Sequence, residues 1–278
     1  MNMKKLMLMM AIAMICLGAM ATQKKETVQK RVPVTAFDKI AMAASVDVIY
    51  TQGSTYECTL IASPKDMDKL KIEVVNEQLN ISVENPKKTM GRVIFNSGNF
   101  TDKVVVKVSS PWLTKVDCVG SGDFVATSDI KTDNLLLNIS GSGEIELKKV
   151  SGHAISLNVA GSGDISLQQA TAKNLKVSVA GSGEVDIDQA VCQVASLSIA
   201  GSGDIDAAFS TCQDLKCAVA GSGEMELKGM VTNYSGAVTG SGEIIKSGLQ
   251  ISGNCVERGK NPIPAKTPKT INNINPRP

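Results

Sequence analysis

The sequence predicts an all-β fold, a right-handed parallel β-helix whose coils are about 20 residues long. Three observations predict it. The triplet Gly-Ser-Gly begins at Gly120, Gly141, Gly161, Gly181, Gly201, Gly221 and Gly240, at successive intervals of 21, 20, 20, 20, 20 and 19 residues. Around each triplet the side chains alternate: Leu157, Val159, Gly161, Gly163, Ile165 and Leu167 share one phase, and Asn158, Ser162, Asp164 and Ser166 the other. Period two is the spacing of a strand. The units hold neither helical spacing nor the LxxLxLxxN pattern of a leucine-rich repeat. Segments one period apart therefore lie one above another, about 4.8 Å apart, and six steps span about 29 Å. Right-handedness follows from the crossover preference of parallel strands.

Each region follows in order. In residues 1–21, Lys4 and Lys5 precede an apolar run from Leu6 to Leu17, and Ala19, Met20 and Ala21 supply a cleavage site. That is a secretory signal peptide, too short to span a membrane. Cys16 follows Ile15, whereas a lipid-attachment site wants a small side chain there. Residues 22–36 read as a linker. Residues 37–117 read as irregular N-terminal β-coils that cap the stack, with a small separate β-sandwich as the alternative and a protruding loop from Lys87 to Asn99. Here "AASVDVIYTQG", from Ala43 to Gly53, is a worn copy of the motif, with Asp47 and Val48 standing where an acid and an apolar residue stand later. Residues 118–255 form the regular β-helix, each coil carrying two strand segments and a less regular third such as "QQATAKN". Residues 256–278 are Pro-rich, basic and poor in large apolar side chains, the composition of a disordered tail. Such a tail also blunts the edge of the last coil.

Charge excludes some partners. Removing residues 1–21 takes two lysines and no acid from 29 basic and 27 acidic residues, leaving a balanced chain with no general attraction for nucleic acid or anionic membranes. Trp112 is the single tryptophan, so a stacking platform for bases has little to draw on.

The repeat itself supplies the candidate site residues. Gly161, Gly163, Gly181, Gly183, Gly201 and Gly203 stand where one sheet bends into the next, a corner without room for side chains. Ser162, Ser182 and Ser202 form an outward ladder between them. A serine nucleophile needs an adjacent base and an orienting group, and the only histidine is His153, so the serines read as scaffold. His153 has no histidine partner for a zinc site, which wants three or four ligands.

The carboxylates form two outward columns: Asp123, Glu144, Asp164, Glu184, Asp204, Glu224 and Glu243 directly after the triplets, and Glu146, Asp186, Asp206 and Glu226 two positions on, interrupted by Ser166. Neighbouring unit charges at that spacing repel by about 0.9 kcal/mol in water. The face reads either as a solvated surface that discourages aggregation or as a weak oxygen-ligand site for calcium. Apart from calcium there, no cofactor is expected. Paired acids for sugar hydrolysis stand as one constellation in a groove, whereas these are periodic, so a polysaccharide lyase or hydrolase is the remoter alternative and no enzyme is expected. Six cysteines follow the signal: Cys58, Cys118, Cys192, Cys212, Cys217 and Cys255. Cys192 and Cys212 occupy the same place in consecutive coils, so stacking alone brings them within disulfide range. Cys118 and Cys217 fall on the inward phase, as small apolar fillers.

Phe37-Asp38-Lys39-Ile40, Val46-Asp47-Val48, Thr51-Gln52-Gly53 and the serial Gly-Ser-Gly-acid units together resemble the GIN domain, described as the head domain of putative auto-transporter adhesins, abundant in Bacteroides-type bacteria. The resemblance covers about residues 37–255. It implies a β-helical, exported protein of a Gram-negative envelope, in the periplasm or at the cell surface, and it carries no catalytic residues. No C-terminal membrane barrel follows, so the chain is not expected to translocate itself. The expected function is non-catalytic, adhesin-like binding of an extracellular or envelope protein or glycan. A calcium-binding structural envelope protein is the alternative.

Overall fold

The computed structural model describes residues 27–84, 88–89, 92–93 and 100–259. The leader, most of the loop expected at Lys87 to Asn99 and nearly all of the tail lie outside them. The fold is a parallel β-solenoid of about seven turns, as the sequence predicts.

The regular coils are β13 (Asn134–Gly141), β14 (Glu144–Ser151), β15 (Ala154–Gly161), β16 (Asp164–Gly181), β17 (Glu184–Gly201), β18 (Asp204–Gly221), β19 (Glu224–Gly240) and β20 (Glu243–Ile251), with β21 (Cys255–Arg258) closing the last turn. Each pairs in parallel with the strands one period before and after it, except β20 and β21, which pair with β19 alone. Asp164 faces Glu184, Val177 faces Leu197 and Gly181 faces Gly201, a register of one sequence period. Aliphatic side chains on the inner phase fill the core from Ile145 to Leu249.

One expectation is corrected. The third side, "QQATAKN" in β16, is strand like the others, and Ala170 and Ala172 are buried. Two consecutive residues point outward at Gln168–Gln169 and again at Lys173–Asn174. Each pair turns a corner and shifts the phase, and the short alanine side chains between them add little hydropathy contrast, so the alternation fades from the sequence while the strand continues.

The corners at the triplets depend on glycine. Gly181 has φ +131°, and a Cβ there would lie 2.3 Å from the carbonyl oxygen of Gly161 in the coil below. A Cβ on Gly183 would lie 2.2 Å from the oxygen of Gly163 and 2.6 Å from a methyl of Val159. In the intervening residue, Ser182 N–H donates to Gly161 O at 2.8 Å while the side chain is exposed.

The N-terminal part enters the stack out of sequence order. Its elements are β1 (Val28–Arg31), β2 (Lys39–Ala43), β3 (Asp47–Gln52), β4 (Glu57–Ala62), a short helix α1 (Pro64–Met67), β5 (Leu70–Val75), β6 (Gln78–Val83), the two-residue strands β7 (Lys88–Thr89) and β8 (Arg92–Val93), then β9 (Val105–Ser110), β10 (Lys115–Gly120), β11 (Phe124–Ala126) and β12 (Ile130–Lys131). β2 and β3 pair with β10 and β11 on one side, and with β6 and β9 on the other. The segment that follows β3 thus forms the outermost layer, and the chain returns over it to β10. Antiparallel pairs β1–β4, β4–β9 and β5–β6 border this layer. β1 lies in the stretch read as a linker; all four of its residues are exposed, so no burial pattern marked it.

Buried polar groups fasten this end. Tyr50 Oη donates to Ser110 O at 3.2 Å, and its ring stacks on Phe124 at 5.9 Å between centroids. Asp66 is fully buried. Burial pushes its carboxyl up, but Lys69, Ser63 and the Thr101 amide outweigh that and bring it down to about 2.

Gly181→Ala combines a positive φ with a clash against backbone, and should destabilise the protein by about 3 kcal/mol or more. Ser182→Ala should stay within about 0.5 kcal/mol of wild type. Urea denaturation of the two variants measures the contrast; equal midpoints would contradict the stacked corner.

Candidate functional site

The acidic face is assembled as the sequence places it. Glu144 faces Asp164, Asp164 faces Glu184, Glu184 faces Asp204 and Glu224 faces Glu243. Phe124 pairs with Ile145 and with Val48, so Asp123 and Asp47 continue the same column. In the second column Glu146 faces Ser166, Ser166 faces Asp186, Asp186 faces Asp206 and Asp206 faces Glu226.

Asp and Glu alternate along most of the first column, and their backbone partners alternate with them. Asp164 Oδ1 accepts from the Glu184 amide at 3.1 Å, and Asp204 Oδ1 from the Glu224 amide at 2.9 Å. The Asp164 and Asp204 amides instead donate to Gly143 O and Gly183 O, each at 3.1 Å. A shorter side chain reaches the next amide and a longer one leaves it to the glycine carbonyl. The alternation was visible in the sequence as a period of two coils, but its meaning needed the register.

Burial and repulsion together raise several of these groups above their ordinary values. Asp186 first, then burial, raises Glu184. Burial and then Asp206 raise Asp186. Burial and then Glu226 raise Asp206, with Lys228 opposing, and burial and then Glu146 raise Glu144. Carboxylate oxygens of Glu184, Asp186 and Asp206 lie within 4.8 Å of one another, the one such group of three among the described residues.

The other sequence candidates stay apart from it. His153 is exposed in a bend, its backbone N–H donating to Asp133 O at 2.7 Å. Cys192 and Cys212 face each other in adjacent coils, both buried, and carry free thiols. Their hydrogen bond, followed by burial, raises the Cys192 thiol. Burial raises Cys118 to about 11 and Cys58 to about 12. Besides Asp66, a second buried charge carries no mark in the sequence pattern. Lys246 points into the last coil, ion-paired with Glu257 and 5.3 Å from the Tyr234 ring centroid.

The family model for the "Putative auto-transporter adhesin, head GIN domain" matches residues 36–211 and 191–257. The chain belongs to the GIN-domain family. The two matches overlap by one coil, as a 20-residue repeat allows when it is aligned one coil out of step. Solved structures similar to this GIN domain include the following three. A putative lipid binding protein of Parabacteroides distasonis is 28% identical with a TM-score of 0.65, over 85% of this chain and 98% of that one. A putative adhesin of Parabacteroides merdae is 22% identical with a TM-score of 0.68, over 85% and 98%. A putative adhesin of Bacteroides fragilis is 21% identical with a TM-score of 0.62, over 84% and 98%. The last two likenesses show the fold alone. No curated protein matches the sequence. Among the described residues, no helix is long and apolar enough to cross a membrane.

The raised carboxylates fix a pH dependence. A group protonated more readily folded than unfolded contributes stability that is present at low pH and lost as pH rises through its folded value. At low ionic strength the melting temperature of this GIN domain should therefore rise as pH falls from 7.5 toward the ordinary carboxylate range. It should fall again as Asp66, shifted the other way, is protonated between its unfolded value of 3.8 and about 2. Asp186→Asn with Asp206→Asn should flatten the upper slope and raise the neutral-pH melting temperature by roughly 2–4 °C for each kcal/mol of repulsion removed. Scanning calorimetry in 10 mM and 500 mM salt tests it; a monotonic fall from pH 7.5 to 4.5 in low salt would contradict the account.

Proposed function

We propose that this chain is an exported, non-catalytic, adhesin-like binding domain of the bacterial envelope, presented as a stiff rod. One observation carries the reading. The interior of the solenoid is filled by aliphatic side chains stacked coil on coil, so what the fold offers a partner is its long outer surface. Membership of the GIN family supports the adhesive reading, and the leader pattern of residues 1–21 supports export. The candidate acids recur with the coil instead of converging as an acid/base pair, which favours binding over catalysis. Cell fractionation and protease shaving should find the mature protein in the periplasm or at the surface. Deleting the gene should reduce attachment of intact cells to immobilised extracellular protein or glycan. A cytoplasmic protein, or unchanged attachment, would refute the proposal.

The grouping of Glu184, Asp186 and Asp206 favours a second reading, weak calcium binding that relieves repulsion on the acidic face. Calorimetric titration with calcium chloride should then show binding and a raised melting temperature. Both should vanish in a Glu184→Gln, Asp186→Asn, Asp206→Asn variant, and a flat wild-type titration would remove this reading.

In an oxidising compartment the facing thiols of Cys192 and Cys212 are placed to form a cross-link between coils, worth about 3 kcal/mol for a loop of that length. Peptide mapping of envelope-derived protein without reduction should recover the two cysteines joined. Recovery of both as alkylated thiols would discard the cross-link.

A further inference from the structure

Away from the acidic face, the corner that leads into the first strand of each N-terminal coil opens into a cleft of about 520 Å3. Lys39 pairs with Gln78 on one side and with Lys115 on the other, so the residues just before them, Glu77, Asp38 and Thr114, stack at one corner. The Asp38 amide donates to Glu77 O at 3.0 Å, the Thr114 amide to Asp38 O at 2.8 Å and the Leu136 amide to Thr114 O at 2.9 Å. Thr114 Oγ1 also donates to Asp38 Oδ2 at 2.9 Å. The floor is therefore a bonded backbone ladder four layers deep, about 14 Å across three steps of the strand spacing. Glu77 is presented from a two-residue turn with Asn76, at φ 60° and 51°, a conformation that costs energy for a glutamate.

The walls are aromatic and acidic. Trp112 and Tyr56 are the exposed aromatic side chains among the described residues, at 60% and 37%, and both line this cleft. The Tyr56 ring is held 5.6 Å from that of buried Phe37, tilted by 58°. Asp38, Glu77 and Asp133 add three carboxylates, and among the described residues no lysine or arginine lines the cleft. Lys39 stands behind it, 3.1 Å from Asp38 Oδ1, an oxygen that receives no aligned hydrogen bond, and 3.9 Å from Glu77 Oε2, so one cation answers part of the charge of two of the three acids.

We propose that this cleft binds a neutral glycan, a pyranose ring lying on Trp112 and Tyr56 with its hydroxyls donating to the carboxylates of Glu77 and Asp133. A sugar ring combines an apolar C–H face with a rim of O–H donors, matching an aromatic wall beside groups that only accept. Phosphates, uronates and nucleic acids bring negative charge and acceptors, and the three carboxylates with the single Lys39 leave an excess of negative charge that repels them. An extended peptide would need free backbone groups, and the rungs at this corner bond to one another. The proposal rests on the envelope-binding reading and names its ligand class.

The test uses the mature full chain, titrated by calorimetry with chitotetraose, cellotetraose and mannotetraose, with tetragalacturonate as the acidic counterpart. At least one neutral oligosaccharide should bind saturably and tetragalacturonate should not. The emission of the single tryptophan should shift in step with the heat. Trp112→Ala should weaken binding about tenfold or more and Trp112→Phe less, with melting curves unchanged because the side chain is exposed. The cleft is overturned if none of the neutral sugars binds, if Trp112→Ala binds like wild type, or if tetragalacturonate or phosphatidylcholine vesicles compete for the site. Cell attachment that survives Trp112→Ala also overturns the cleft, yet leaves the envelope reading standing. Saturable sugar binding by a protein found in the cytoplasm keeps the cleft and removes the envelope reading.

Discussion

A carbonyl oxygen occupies the place where a side chain would begin. At the six triplet corners from Gly141 to Gly240 the glycine of one coil lies against the glycine oxygen of the coil below, 2.3 Å from where a Cβ on Gly181 would sit. The contact brings successive corners close enough for Ser182 N–H to reach Gly161 O, and the register of the long strands is fixed from there. A slip of one residue would put a side chain into that oxygen and turn every inner aliphatic residue toward water. The period of the sequence is thus held by sterics at one corner and by burial along three sides.

Stacking identical coils also stacks identical charges. Seven triplets followed by seven acids place like charges on neighbouring rungs, and the face responds through its backbone as well as through raised protonation. An aspartate that accepts the next amide, as Asp164 does from Glu184, has part of its charge answered by the main chain. The following glutamate leaves its neighbour's amide to glycine. Alternating the two acids places this compensation on every second rung of the regular coils, while Asp47 and Asp123, two aspartates in succession, each accept the next amide.

How much was legible follows from what is local. The triplets, the two acid columns, the facing of Cys192 and Cys212 and the kinship of Asp47 with Asp123 are all repeats at fixed spacing, and a parallel stack turns spacing directly into contact. The third side was faint because two outward residues at each corner shift the phase, and alanine fills the space between them. The order of the N-terminal layers could not be read, since β2 and β3 lie between a layer that comes 39 to 58 residues later and one that comes 76 residues later, with no fixed spacing to the first. Lys246 was read past because its inward position is shared by aliphatic residues in the other coils, and its partner Glu257 arrives only in the closing strand. The aromatic cleft draws on residues 36–38, 56, 77, 112–114 and 132–134, stretches with no common pattern.

The contrast between the two ends bears on where selective binding resides. A periodic face offers the same groups on each rung, so a ligand that fits one register fits the next almost as well, and selectivity between neighbouring registers is small. Such a surface suits diffuse attraction of cations and resistance to aggregation. Selective recognition needs a place where the repeat is broken and the groups differ, held by a backbone that does not move. The N-terminal corner is such a break in the repeat, where out-of-order layers bring Trp112, Tyr56, Glu77 and Asp133 together over bonded rungs, and the glycan proposal places recognition there. On that proposal the regular coils are the spacer that carries it.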